Sequence, residues 1–428
     1  MKDSVRQRFH AGIILVVFIV AWSIPRAAIA AEEPEISSPA GPRDGERYAY
    51  SLEGSLEVHS VFAHRRDSIV VADPAQRDTW RTSGYMEFLA LHTLDTGTAR
   101  MVLNHGILVF ADPGLWITTG NAGTGATAPA DVALVHEVYE ASVTLPIHPL
   151  VAVVAGRQFH WDGPRGRSPA GLHFSVIDGL HPCSAFEETQ TGFDGVRLVL
   201  GQDSPVTIAG ALALQEALAP GGDSVPLEQK LRYSLSGWLT DGFGRRFGGS
   251  AMIQHDQMLR YGLFVRLPGE RFSLGSEVAL EMYDPRAEEI SINPLAGIRG
   301  EYEAELPRDV TASLFGEYHY NGLESIYAAV PTAAVQVTCD GAGGFKRPGA
   351  HYLRYGFALE QRGRWRNTNT FTNNLTDESV LGDHELTALA FEPVTLSAGV
   401  IWNSGYPTSE FGRLVEDFVV RLSAGIQL

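Results

Sequence analysis

The stretch that decides the fold is the C-terminal segment EDFVVRLSAGIQL, residues 416–428. Counted back from Leu428 to Phe418, every second residue is apolar, and the residues between them are mostly polar or small. A period of two is the pattern of a β-strand with one apolar face and one polar face. A strand that is apolar outside and polar inside is typical of a transmembrane β-barrel. The segment therefore predicts a membrane barrel that is closed by the C-terminus of the chain.

The same alternation recurs in about eighteen segments, with sixteen as the alternative count, and bacterial barrels of this kind have an even number of strands. The weakest of them is Arg364–Phe371, which is polar throughout. Short turns alternate with longer connections, among which Phe159–Gly192 is the longest and Thr372–Ser379 is another. Short periplasmic turns and long external loops are typical of outer-membrane barrels. We therefore predict an all-β fold, a single transmembrane antiparallel β-barrel with both termini on the periplasmic side.

The two faces of the predicted strands indicate which side meets water. In Met258–Leu267 and Glu270–Tyr283, apolar residues alternate with arginine, glutamate, serine and glycine. A barrel of this size is too wide for its own side chains to fill. The polar face therefore lines an aqueous lumen, and the apolar face requires lipid.

The N-terminus predicts export. A basic start with Lys2, Arg6 and Arg8 is followed by an apolar run and by the small-residue motif Ala28-Ile29-Ala30. This arrangement is typical of a cleaved secretory signal peptide. We predict a signal peptide over 1–30, a periplasmic leader over 31–45 and the barrel over 46–428, in the Gram-negative outer membrane.

Composition excludes several classes of protein. The formal net charge is −17, and removal of the predicted signal peptide would make it more negative, so nucleic acid is not an expected partner. No run after the signal is long and apolar enough for a transmembrane helix. The two cysteines lie in no haem or metal-binding motif, and no Gly-x-Ser-x-Gly motif occurs. We expect no catalytic residues, no cofactor and no resident metal.

The polar face supplies the candidate functional residues. Charges of both signs on a pore wall create a transverse field that orders water and polar solutes, although such residues also serve simply to solvate a wall and pair across strands. The predicted pore-lining residues are Arg157, Arg165, Arg167, Arg197, Arg232, Arg260, Arg266, Arg299, Glu277, Glu281, Glu301, Glu303 and Arg354.

The connection Phe159–Gly192 carries a further expectation. Loops longer than about fifteen residues are commonly functional, and this one either folds into the pore, with Arg165 and Arg167 near the path, or stays outside. Cys183 lies in this loop and Cys339 lies in another predicted external loop. A disulfide between them is permitted, but the sequence gives no distance.

Three short motifs resemble the alginate-export porin family: Val138-Tyr139-Glu140-Ala141, Gly156-Arg157-Gln158, and Phe193–Leu198. The resemblance covers about sixty residues and implies an eighteen-stranded outer-membrane barrel with an arginine-lined conduit for an anionic polysaccharide. It also implies that Arg157 and Arg197 line the lumen. The acidic residues around Glu301 depart from a purely basic conduit, so the resemblance favours the architecture rather than alginate as the cargo.

The leading hypothesis is an outer-membrane channel for passive or substrate-selective passage of small polar or anionic solutes, with saccharides as one class. The alternative is a barrel that sheathes a partner protein or exports a polysaccharide. The expected partners are outer-membrane lipid and small polar solutes. The sequence leaves open a homo-oligomer or a periplasmic partner.

Overall fold

A computed structural model of the chain describes residues 49–65, 79–110, 133–158, 168–172, 193–201, 204–214, 231–254, 258–283, 291–320, 322, 349–391, 393–406 and 416–427. These residues form one antiparallel sheet in which each strand pairs with the next along the chain, and the first strand also pairs with the last. The sheet is therefore a closed barrel, which leaves no unpaired strand edge.

The described residues contain eighteen strands. They are β1 Ala49–Arg65, β2 Thr79–Asp95, β3 Arg100–Phe110, β4 Ala133–His148, β5 Val151–Gln158, β6 Phe193–Leu200, β7 Val206–Leu214, β8 Leu231–Thr240, β9 Arg246–Gln254, β10 Met258–Leu267, β11 Phe272–Tyr283, β12 Ser291–Leu306, β13 Val310–Tyr320, β14 His351–Gln361, β15 Trp365–Asn374, β16 Ser379–Phe391, β17 Val394–Ser404 and β18 Glu416–Gln427.

The C-terminal segment closes the barrel as predicted. Strand β18 pairs with β17 on one side and with β1 on the other. The pair Leu56–Ile426 lies on the same face as Phe88, which is the next partner of Leu56 on β2. Cross-strand partners share a face, so the alternation read in the last strand extends around the wall.

The outer face is apolar over most of the barrel. Leu235 is 58% exposed and Leu263 is 65% exposed, although both are large hydrophobic residues. Their strand neighbours Ser236 and Phe264 point the other way and are buried. Exposed leucines on one face and mostly polar side chains on the other are the arrangement expected of a barrel wall in lipid.

The polar strand at Arg364–Phe371 is confirmed, but the connection after it is shorter than predicted. Strand β15 extends to Asn374, and β16 begins at Ser379, so the predicted long connection Thr372–Ser379 is wrong. The turn between them is tight because the Asn374 side chain accepts a hydrogen bond from the Thr376 backbone N–H at 2.9 Å, and Glu378 takes a positive φ of 58°. Asparagine and aspartate stabilise turns in this way, so the polar residues that suggested a loop build a strand end and a turn.

The predicted signal peptide and leader lie outside the described residues and remain predictions. None of the described residues forms a helix of the length and apolarity that crossing a membrane requires.

Candidate channel lumen

Most of the predicted pore-lining residues lie on the inward face. The register places them there as cross-strand partners of one another or of other inward residues, such as Arg260 opposite Glu281 and Arg299 opposite Glu317. Their role in solute passage remains a prediction. The inward residues are Arg197, Arg232, Arg260, Arg266, Arg299, Glu277, Glu281, Glu301, Glu303 and Arg354.

Arg157 does not line the lumen, which corrects the sequence-based assignment. It lies opposite Ala141 on the outward face, in the same row as Leu103. Its guanidinium donates to both carboxylate oxygens of Asp194, at 2.9 and 2.7 Å. The assignment failed because β5 has apolar residues on both faces, with Ala152 and Val154 buried inside. The alternation therefore did not indicate which residues of this strand point into the lumen.

Part of the Phe159–Gly192 connection lies inside the barrel. Residues Ser168–Leu172, which we call the inner segment, are nearly all buried. The segment begins with a turn in which the Gly171 N–H donates to the Ser168 carbonyl at 2.9 Å, and proline at the second position of a turn favours this geometry. The choice left open by the sequence is resolved for these five residues, which fold inward. Arg165, Arg167, Cys183 and Cys339 lie outside the described residues.

The inner segment packs on an apolar patch of the inner wall, which we call its seat. Ala170 and Leu172 pack in one cluster with four inward residues of β8, β10, β11 and β12. Burial of a leucine side chain contributes roughly 1.5–3 kcal/mol. Inward apolar residues on a barrel of this width indicate a packed element rather than water. The four residues of the seat are Trp238, Phe264, Ala279 and Leu295.

A carboxylate and two glycines hold the inner segment in place. Ser168 Oγ donates to Glu277, and the Ala170 N–H lies 3.4 Å from the same carboxylate oxygen. A Cβ on Gly275 would overlap the carbonyl oxygen of Ala170, and a Cβ on Gly297 would overlap Leu172. The absence of side chains at these two inward positions is what lets the segment approach the wall.

Buried ion pairs flank the inner segment. Arg260 pairs with Glu281, and both side chains are fully buried. Arg299 Nη1 donates to Glu317 at 2.8 Å, and the other oxygen of Glu317 contacts His319. Charges removed from water are stable only when they are paired. These groups therefore fix the wall around the inner segment and are not accessible to a solute, with the exception of Arg299, which is partly exposed.

Accessible positive charge lies on the same wall, closer to the short turns that precede β9 and follow β10. Arg246 and Arg266 are directly opposite each other on β9 and β10. Neither forms an ion pair in the described part of the chain. Like charges at directly opposed positions repel each other, so the pair favours an anion between them. The inward positions of β5 to β10 carry five arginines and no Asp or Glu within the described ranges: Arg197, Arg232, Arg246, Arg260 and Arg266.

Acidic residues face this basic wall. Strands β1 and β2, on the opposite side of the barrel from β10 and β11, carry inward Glu57 and Glu87. His59 lies 3.3 Å from Glu57 and 3.8 Å from Glu87, and its ring stacks on Tyr85. Opposed charges across a narrow aqueous space produce a transverse field. No group of three or more His, Cys, Asp or Glu side chains suited to a metal ion occurs among the residues that the structure describes.

Sequence reasoning missed three features of this site. Arg246 was not assigned, although its strand partner Arg266 was. The seat residue Trp238 was missed because an inward tryptophan breaks the alternation. Ser168 carried no signal, since its contact with Glu277 joins residues far apart in sequence.

Solved structures share this fold. OccAB4 from Acinetobacter baumannii matches with a TM-score of 0.54 at 9% identity, over 88% of this chain and 98% of that chain. The outer membrane protein opdK from Pseudomonas aeruginosa matches with a TM-score of 0.52 at 11% identity, over 88% of this chain and 99% of that one. The structure of OpdK with vanillate matches with a TM-score of 0.52 at 12% identity, over 88% and 98% of the two chains. No family model and no curated protein matches the sequence. The chain thus has the closed antiparallel barrel fold of outer-membrane porin structures.

Proposed function

We propose that this protein is an outer-membrane channel for small polar solutes and that it favours anions. The observation that carries the proposal is a barrel with an apolar outer face whose inner wall holds Arg246 and Arg266 beside the inner segment, two arginines that form no ion pair with a described residue. Gly171 of that segment lies next to Arg266, whose Nε is 3.7 Å from the position of a Cβ on Gly171. A solute that passes the segment therefore meets fixed positive charge.

The size and charge of the solute follow from this arrangement. The inner segment narrows the lumen, which favours small solutes over polymers. Two opposed guanidinium groups match the two oxygens of a carboxylate. One of the structurally similar proteins was solved with vanillate, an aromatic carboxylate. A small monocarboxylate is therefore the first solute to test.

Replacing both arginines with glutamine should reduce anion preference. In planar bilayers under a salt gradient, we expect Arg246→Gln/Arg266→Gln to lower the anion-to-cation permeability ratio about fivefold, because a unit charge near a passing ion contributes roughly 1 kcal/mol even in water. The conductance at high salt should change little, since screening then hides the charges.

The matched control is Arg157→Gln/Asp194→Asn, which removes one arginine and one acid from the outer face. It should leave the permeability ratio unchanged. An unchanged ratio in the Arg246→Gln/Arg266→Gln protein would remove the anion assignment, whereas a sealed barrel in the unaltered protein would favour a sheath for a partner over a channel.

Saccharide passage is a second candidate, favoured by inward threonines of β15. Thr368 and Thr370 are partly exposed, and their hydroxyl groups donate and accept hydrogen bonds as sugar hydroxyls do. Liposome swelling with neutral sugars and with carboxylates of equal size distinguishes the two. Faster sugar entry than carboxylate entry would favour saccharides over anions.

A further inference from the structure

A chain of polar side chains crosses the outer face of β15 to β17. Asn369 Nδ2 donates to Asn367 Oδ1. Trp402 Nε1 donates to His384 Nε2 at 3.1 Å, so the proton of the neutral imidazole lies on Nδ1 and is donated to Asn369 Oδ1 at 2.8 Å. We call these four residues the outer polar chain.

The register shows that the outer polar chain faces away from the lumen. Asn369 lies directly opposite Phe357, and Asn367 lies directly opposite Leu386. Phe357 is 37% exposed and Leu386 is 51% exposed, as are other lipid-facing residues of the wall. Direct cross-strand partners point to the same side of a sheet, so the two asparagines point outward as well.

Lipid is a poor environment for these groups. An asparagine amide carries two N–H donors, and Asn367 Nδ2 donates no hydrogen bond within the ranges that the structure describes. Acyl chains supply no acceptor, and an unsatisfied polar group in the bilayer is costly. The amide groups therefore favour a polar neighbour in the plane of the membrane.

The outer wall differs from strand to strand. The outward residues of β7 to β10 are glycine, alanine, aliphatic or aromatic, among them Leu235 and Leu263. Other polar outward groups are the ion pair Arg157–Asp194 on β5 and β6 and three histidines on β2 to β4. The patch on β15 to β17 differs from these because it carries two amide side chains beside each other.

The chemistry of the patch selects its occupant. The outward positions of β14 to β17 hold no Lys, Arg, Asp or Glu within the described residues, so an anionic lipid headgroup would find no cation there. Amide groups both donate and accept, which makes them complementary to themselves. The same face of a second copy, related by a two-fold axis, offers the matching groups.

The patch also carries aromatic rings that lie against the wall. Trp402 lies across Gly382, where a Cβ would overlap the indole ring. Phe371 meets the His384 ring edge-on at a centroid distance of 5.2 Å. Buried aromatic residues commonly form the centre of protein interfaces.

We infer that two copies of this chain pack through the outer faces of β15 to β17, with Asn367 and Asn369 of each copy hydrogen-bonded to those of the other. The contact holds whether or not the lumen conducts, so its test is separate from the test of channel activity.

Native mass spectrometry of the unaltered protein tests the inference first, and we expect a dimer. The Asn367→Leu/Asn369→Leu variant should associate about tenfold more weakly, because buried polar contacts between membrane segments contribute roughly 1–2 kcal/mol. The control Leu235→Ala, on the outer face of β8, should dimerise as the unaltered protein does. β-Sheet circular dichroism verifies that each variant is folded.

Cross-linking locates the contact. In a Cys183→Ser/Cys339→Ser background, a short bis-maleimide should join two copies of Asn369→Cys and should not join two copies of Leu235→Cys. The inference would be overturned if the unaltered protein were only monomeric. Equal cross-linking at both positions would overturn it as well. Cross-linking at His105→Cys but not at Asn369→Cys would do the same, since that contact would lie on β3.

Discussion

Replacing Gly275 with leucine should push the inner segment away from the barrel wall and towards the centre of the lumen. Even a Cβ at this position would overlap the Ala170 carbonyl oxygen, and the oxygen belongs to backbone that a side-chain rotation cannot move. The segment would lose its contact with Glu277 and the burial of Leu172, which contributes roughly 2 kcal/mol. We expect the single-channel conductance to fall several-fold, because the leucine and the displaced segment together occupy more of the conducting cross-section.

Single-channel recording in planar bilayers measures this effect directly. The matched control is Gly316→Leu on β13, an outward glycine with no atom within 4 Å of its Cβ position. This control adds the same side chain to a barrel strand and should leave the conductance unchanged. Conductance that is equal or higher in the Gly275→Leu protein would contradict this position of the inner segment in the conducting path.

The fold could be predicted from the sequence because lipid imposes a simple rule. Each wall residue faces either lipid or lumen, so a period of two reports its side wherever the faces differ in polarity. Strand β10 obeys the rule, with Leu263 outside and Arg260 inside. Strand β5 does not obey it, since alanine and valine occupy both of its faces. The sequence therefore did not indicate on which face Arg157 lies.

The site was less predictable because its contacts are between distant parts of the chain. Ser168 reaches Glu277 across more than a hundred residues, and neither residue type indicates the contact. The role of Gly275 and Gly297 becomes evident only once a segment is known to pack against them. The inward residues Trp238 and Phe264 were the available signal, because apolar side chains on a wall that faces water favour another segment packed against them.

The outcome for the family resemblance is mixed. The eighteen-stranded barrel that it implied is present, and Arg197 points inward as it implied. Arg157 points outward and pairs with Asp194. Membership of an alginate-export-like family, and a polysaccharide as cargo, remain predictions.

Removal of Glu281 should destabilise the barrel more than removal of any exposed acid. Both Glu281 and its partner Arg260 are fully buried, so the Glu281→Ala protein would keep a guanidinium away from water without its counter-charge. Breaking a buried pair in this way typically costs about 3–5 kcal/mol. Urea unfolding in lipid vesicles, followed by tryptophan fluorescence, measures the free energy of unfolding.

The exposed pair Glu360–Arg366 provides the control. Its atoms are 3.9 Å apart and both side chains are about half exposed, so Glu360→Ala should change the free energy of unfolding by less than about 1 kcal/mol. Equal effects of Glu281→Ala and Glu360→Ala would contradict the buried pair as described.

The double variant Arg260→Met/Glu281→Leu separates the two reasons for which a buried pair is retained. If stability were its purpose, the double variant would be as weak as Glu281→Ala. Because apolar residues of similar volume replace a buried pair at little cost, we expect most of the loss to be recovered. The pair would then matter mainly for the shape of the wall beside the inner segment, and the double variant should show altered conductance in a stable barrel.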